Sequence, residues 1–356
     1  MGGSLSKIRT VDAAAHPYPR NQDDIRKYMG APLSHLRFPG LDGYFYPPPE
    51  DELSSEFAPP GGLPGSDPEL LSRQLLSEPE MDAVVLLPLT RGLLPDVDMA
   101  SEICAGTNRW LAEEWLSYDP DRFFGSIRIN PADPSRAMEE IQRWADHPQM
   151  VQVAVPLQAH QPYGQRRFRP IWQCAADHGL PVAVHADSLG GNEFWPTSVG
   201  YPLYYVEYAS QYSINYIVHL MSLIAEGVLE DVDNLIFVFA DGGIDMLFPL
   251  IWRIDSDWRP LRSVTPWVKR PPVDYLGDHV RFCSQRFEGP VEPEGFASWL
   301  DAVEAARLLM YSSNYPCVSL QSRDAFDASP SETRDRVLGG NALELYPKLA
   351  SRVARI

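Results

Sequence analysis

The sequence predicts a (β/α)8 TIM-type barrel with a long Pro/Gly-rich loop after its first strand, and three observations predict it. Eight short apolar, β-branched runs recur along 356 residues, most followed by a stretch of helical spacing, as parallel strands buried on both faces read. The length suits one large barrel with insertions, so residues 1–356 are read as a single domain. No internal repeat is visible.

The first strand is expected at 8–13. The connection after it, 31–68, holds nine prolines and five glycines, among them Pro47-Pro48-Pro49 and Pro59-Pro60-Gly61-Gly62. Composition alone permits a linker there. The aromatics Phe38, Tyr44, Phe45, Tyr46 and Phe57 instead predict an ordered flap or partner-binding arm, inserted over 31–80.

Strand two is expected at 83–87, with a helix over 98–117. Strand three falls at 123–129, flanked by turn steps at Asp119-Pro120, Asn130-Pro131 and Asp133-Pro134, then a helix over 135–145. Strand four at 151–155 precedes a helix over 169–178. Strand five, 182–185, opens a second long loop, 186–212, whose Trp195, Tyr201, Tyr204, Tyr205 and Tyr208 predict an aromatic wall or an interface. A helix over 215–228 leads to strand six at 235–240, and strands seven and eight fall at 280–284 and 308–312.

Composition bounds the function. Hydrophobic residues make up 44% and charged residues 22%, ordinary for a soluble protein. The formal net charge of −18 speaks against nucleic-acid and anionic-membrane partners. No run of 18 apolar residues predicts a membrane span. Cys104, Cys174, Cys283 and Cys317 are widely spaced, with no secretory signal ahead of them, and read as cytoplasmic thiols.

Of eight histidines, His16 and His185 each follow a strand-like run. In a barrel both then project at the carboxyl ends of the strands, where metal ligands of this fold sit. Asp241 closes strand six in the same way. His35, His147, His160, His178 and His279 have no partner spacing, Glu207 is a lone carboxylate, and Glu113 and Glu114 read as a solvated helix face.

Several stretches carry a resemblance. Gly179-Leu180-Pro181-Val182-Ala183-Val184-His185, the run from Asn234 to Gly243, Ser312-Ser313-Asn314-Tyr315-Pro316-Cys317, and Asn341-Ala342 before Leu345-Tyr346 are similar to the amidohydrolase-related family, the decarboxylase-like branch of the amidohydrolase superfamily. The likeness runs from Val11 to Tyr346. It implies a metal held by two residues two apart after strand one, a His after strand five, a His or Glu after strand six and an Asp after strand eight.

Carried over, the first pair reads Ala14 and His16, His185 is retained, Asp241 stands where His or Glu is usual, and Asn314 replaces the Asp. An amide accepts no proton at working pH, so Asn314 is no general base, although its carbonyl is a weak neutral ligand. The resemblance therefore implies metal ligands His16, His185, Asp241 and Asn314, with Asp241 a catalytic candidate. His219, in the helical run 215–228 beside the apolar face of Ile217, Leu220, Ile224 and Val228, is a second candidate, either a further ligand or a polar residue packed on that face. Two histidines and one carboxylate suit a divalent metal, iron or zinc, with manganese possible.

Three readings follow. In the first, the chain is a reduced-site subunit of a hetero-oligomeric non-haem metal-dependent hydroxylase (monooxygenase), partnered by a homologous amidohydrolase-like subunit. In the second it is a stand-alone metal-dependent hydrolase or non-oxidative decarboxylase. The third makes it a non-catalytic structural partner. The first two take a small-molecule substrate, and an oligomer without nucleic acid or membrane is expected.

Overall fold

The structure, a computed structural model, describes residues 9–35, 53–77, 81–89, 94–186, 200, 203–211, 213–285, 289–290, 292–317 and 322–355. Its eight strands are β1 Thr10–Ala15, β2 Met81–Leu86, β3 Phe123–Arg128, β4 Met150–Pro156, β5 Val182–His185, β6 Phe237–Phe239, β7 Val280–Cys283 and β8 Leu309–Met310. They lie in chain order in one sheet, every adjacent pair parallel. The ring closes where the Ala13 N–H donates to the Tyr311 carbonyl at 2.9 Å and the His16 N–H to the Tyr315 carbonyl at 2.8 Å. The (β/α)8 barrel is thus as expected, with each strand within a few residues of its sequence assignment.

Helices cover the outside: α1 Pro68–Leu75, α2 Val97–Trp110, α3 Pro134–Trp144, α4 Arg169–Asp177, α5 Ile214–Ala225, α6 Ile244–Leu261 and α7 Pro293–Ala302. Three start on an aspartate cap, Asp67, Asp96 and Asp133, whose side chain accepts from a first-turn N–H. The Asp133-Pro134 step expected as a turn is such a cap, with proline in the first helical turn.

Alternation along each strand divides the core into two layers. Phe123, Ile127, Val153, Val182, Val184, Phe237, Phe239, Val280 and Phe282 pack against the helices. Ala83, Val85, Phe124, Ala154, Ala183, Val238, Cys283 and Met310 fill the barrel. The interior side chains are mostly small, which leaves room for polar groups near the axis.

Two further helices, α8 Asn341–Leu345 and α9 Pro347–Val353, plug the amino end of the barrel. Tyr346 Oη donates to Gln152 Oε1 at 2.7 Å, and Gln152 Nε2 to Ser126 Oγ at 2.9 Å. With that end shut, the carboxyl ends of the strands form the open face.

The end of the inserted flap packs on that face. Leu53 pairs with Cys317, the Ser54 N–H donates to the Pro316 carbonyl, and the Tyr18 N–H donates to the Gly65 carbonyl. Phe57 is buried against Tyr315, ring centroids 4.7 Å apart. Gly65 has φ +72, and a Cβ there would stand 2.7 Å from Pro316 Cγ and 3.0 Å from the His16 carbonyl oxygen. Residues 36–52 of the flap, with Phe38, Tyr44, Phe45 and Tyr46, lie outside the described residues.

Of the second long loop, Trp195 and Tyr201 lie outside the described residues, as do the side chains of Tyr205 and Tyr208. Its end runs into the helix Tyr205–Gln211, and Leu203 and Tyr204 ahead of the helix and Val206 within it are exposed. No helix among the described residues is long and apolar enough to cross a membrane.

Candidate active site

Strand alternation carries a few polar side chains inward at the open face. In β1 the register slips between Asp12 and Ala15, a bulge that turns both Ala13 and Ala14 into the interior layer. His16 follows directly and is fully buried. His185 ends β5, Asp241 follows β6, and Gln285 follows β7, all three buried.

These four meet at one atom. Gln285 Nε2 stands 2.7 Å from His185 Nε2, 3.2 Å from Asp241 Oδ1 and 3.5 Å from His16 Nε2. The two imidazoles meet edge to face, centroids 4.6 Å apart. Sequence reasoning finds three of the four; Gln285 it misses.

Backbone carbonyls fix the tautomers. His16 Nδ1 lies 3.0 Å from the Leu87 carbonyl and His185 Nδ1 lies 2.8 Å from the Ala186 carbonyl. A carbonyl only accepts, so in the neutral ring Nδ1 carries the proton and Nε2 presents its lone pair to the centre. Burial pushes the His16 ring down to about 3, with the neighbouring His185 adding to the effect, so His16 is neutral at working pH. This is the arrangement of metal-binding histidines held by an outer carbonyl.

Acceptors crowd the Gln285 nitrogen. His16 Nε2, His185 Nε2 and Asp241 Oδ1 all turn acceptors toward the single Gln285 amide nitrogen, and an amide nitrogen has only two N–H groups. Gln285 Oε1 is itself buried without a hydrogen-bond partner among the described residues. Two imidazole lone pairs and a carboxylate are the donor chemistry of a divalent cation. Among the described residues, however, no group of three or more His, Cys, Asp and Glu side chains forms a metal-holding cluster by itself. The set suits a metal in donor chemistry, but with the Gln285 amide nitrogen standing between them the three side chains are not drawn together as a cluster.

Asn314 stands on the same rim past β8, buried, with its backbone in the left-handed region at φ 62, which asparagine tolerates better than most residues. Ala14 is fully buried, and its N–H donates to Asp12 Oδ1 at 3.1 Å, as does the Ser313 N–H at 3.1 Å. Asp12 thereby ties β1 to β8 behind the site, and burial raises its carboxyl above the usual range. Burial likewise raises the Cys283 thiol, reinforced by Asp12 and Asp241, which leaves it a poor nucleophile.

His219, expected among the catalytic residues, is engaged elsewhere. Its Nδ1 accepts from the Tyr163 N–H at 3.1 Å and its Nε2 donates to the Leu157 carbonyl at 2.7 Å, while its ring stacks on Tyr163 at 4.2 Å. Both nitrogens are spent on backbone, so His219 fastens α5 to the connection after β4.

Arg128 is a second residue that the sequence reading passes over. It is the last residue of β3, on the side of the strand that turns Phe124 and Ser126 into the barrel, and it is completely buried. A signal for it exists in the sequence: a lone cation inside an otherwise apolar strand.

A ring of eight parallel strands with its polar cluster at their carboxyl ends defines an enzyme barrel of the (β/α)8 class. A family model described as Amidohydrolase matches residues 11–348, and the chain belongs to that family. The gamma-resorcylate decarboxylase of Rhizobium sp. (strain MTP-10005) is 24% identical over 271 residues, 71% of this chain and 78% of the relative. An amidohydrolase from Mycobacterium avium subsp. paratuberculosis K-10 shares the fold at a TM-score of 0.75 with 16% identity, over 96% of this chain and 98% of that one. A 5-carboxyvanillate decarboxylase from Novosphingobium aromaticivorans DSM 12444, solved with manganese, aligns at 0.68 with 18% identity over 97% of both chains.

Proposed function

We propose that the chain is a metal-dependent enzyme that decarboxylates a small aromatic acid without an oxidant. The observation that carries this reading is the acceptor-rich centre, in which His16, His185 and Asp241 converge on one position. The decarboxylase names of its relatives draw the reading to the decarboxylase alternative and away from a hydroxylase subunit.

His16, His185 and Asp241 would hold the divalent metal, with Asn314 as a weak neutral addition. When bound, the metal supplies a positive charge that orients the acid and stabilises negative charge developing on it. Arg128 would hold an anionic group of the substrate through its guanidinium. Asp241 is assigned to take up the proton of the entering acid; as the bond to CO2 breaks, the electron pair stays on the ring carbon, which receives that proton from Asp241. The buried, small-lined interior excludes bulk water from this step.

A second reading, a supporting subunit for a homologous amidohydrolase-like chain, draws on Ala14, on Asn314 and on the exposed Leu203, Tyr204, Val206 and Trp252. Metal content and CO2 release from a panel of hydroxybenzoates separate the two. The first reading expects one bound manganese, iron or zinc per chain, lost in His16→Ala and His185→Ala together with CO2 release. A folded, metal-free and inactive chain that binds a homologous subunit would overturn it.

A further inference from the structure

We infer that Gln285, from the end of β7, is a ligand of the bound cation through its side-chain carbonyl, in a strand position outside the ligand set expected from the sequence. The inference deepens the metal-site reading above and rests on it. Two observations carry it. The Gln285 amide nitrogen occupies the point where His16, His185 and Asp241 converge. Its carbonyl oxygen is buried without a hydrogen-bond partner among the described residues.

A half-turn of the carboxamide exchanges these two atoms. Without a cation, an inward Oε1 would face two imidazole lone pairs and a carboxylate, all repulsive. The N–H groups therefore turn inward, and the unpartnered oxygen is the cost of that pose. With a cation at the centre the signs reverse: lone pairs and carbonyl oxygen all point at positive charge, while the NH2 leaves it. A neutral oxygen ligand of this kind is ordinary for divalent cations.

The inward amide, standing between His16, His185 and Asp241, accounts for the lack of a His, Cys, Asp and Glu cluster among the described residues. Where Ala14 provides no ligand and Asn314 only a neutral one, β7 supplies the missing oxygen. Gln285 has the length for either role, since its amide already reaches all three partners.

The test is Co2+ binding to the full chain, read by calorimetry and by the d–d absorption spectrum, for wild type, Gln285→Leu, Gln285→Glu and His16→Ala, with circular dichroism to check folding. Gln285→Leu should weaken Co2+ binding by at least about 10-fold and shift the absorption bands. Gln285→Glu, which keeps an oxygen there, should retain or tighten binding. Unchanged or tighter binding in Gln285→Leu, with binding lost in His16→Ala, would overturn the ligand role of Gln285 alone and make it an occupant of the cation's place. A wild-type chain that takes up no Co2+, or a His16→Ala chain that binds it as well as wild type, would overturn the metal-site reading and this inference with it.

Discussion

At the scale of single residues, charge inside the barrel is the sharpest functional signal. A buried guanidinium on an inward strand position is costly to keep, and its five N–H donors give it the capacity to receive a substrate carboxylate at the open face. Arg128→Met should raise KM for an aromatic acid about 10- to 150-fold, the value of a hydrogen bond to a charged group. Arg128→Lys should recover part of the loss. Inhibition by the decarboxylated product, which lacks the carboxylate, should change little, and an equal loss for acid and product would contradict the assignment. His16, His185 and Asp241 were legible because scarce or charged residues stood just after apolar runs. Gln285 was not, since a glutamine after a strand is chemically ordinary until its neighbours are known. His219 misled because an apolar helix face says nothing about the backbone groups a buried imidazole will find.

At the scale of elements, the strands were legible because burial on both faces leaves a continuous apolar run. Helix α6 was not, as its Pro249 and Pro260 read as breakers. The β1 bulge was equally hidden, since it is set by pairing with β2 and β8 and leaves no mark in composition. The end of the inserted segment is pinned to the rim through Gly65. Gly65→Ala would force a left-handed alanine, costing about 1–2 kcal/mol, and drive its Cβ against Pro316 and the His16 carbonyl oxygen. Faster limited proteolysis within 53–65, together with a lower melting temperature, is the expected outcome. A variant as resistant as wild type would show that the flap end yields without strain.

For the whole molecule, buried neutral histidines make stability depend on pH. Burial pushes His219 down to about 4 from 6.5. Between these values the unfolded chain binds a proton that the native chain refuses, so stability rises with pH across the window and falls on acidification. The contribution is about 1.4 kcal/mol for each pH unit below 6.5, until the native ring itself protonates. Urea unfolding at several pH values between 7 and 5 should show a shallower pH slope for His219→Gln than for wild type, and parallel slopes would refute the assignment.

Ring closure also fixes when the centre can come into being. His16 is made before the other members of the site, yet its N–H bonds to Tyr315 and its ring meets His185 at the end of β5 and Gln285 just after β7. A chain still emerging from the ribosome holds the first donor before its partners exist. The site is therefore among the last features to form, and no fragment ending before β8 can assemble it as it stands in the closed barrel.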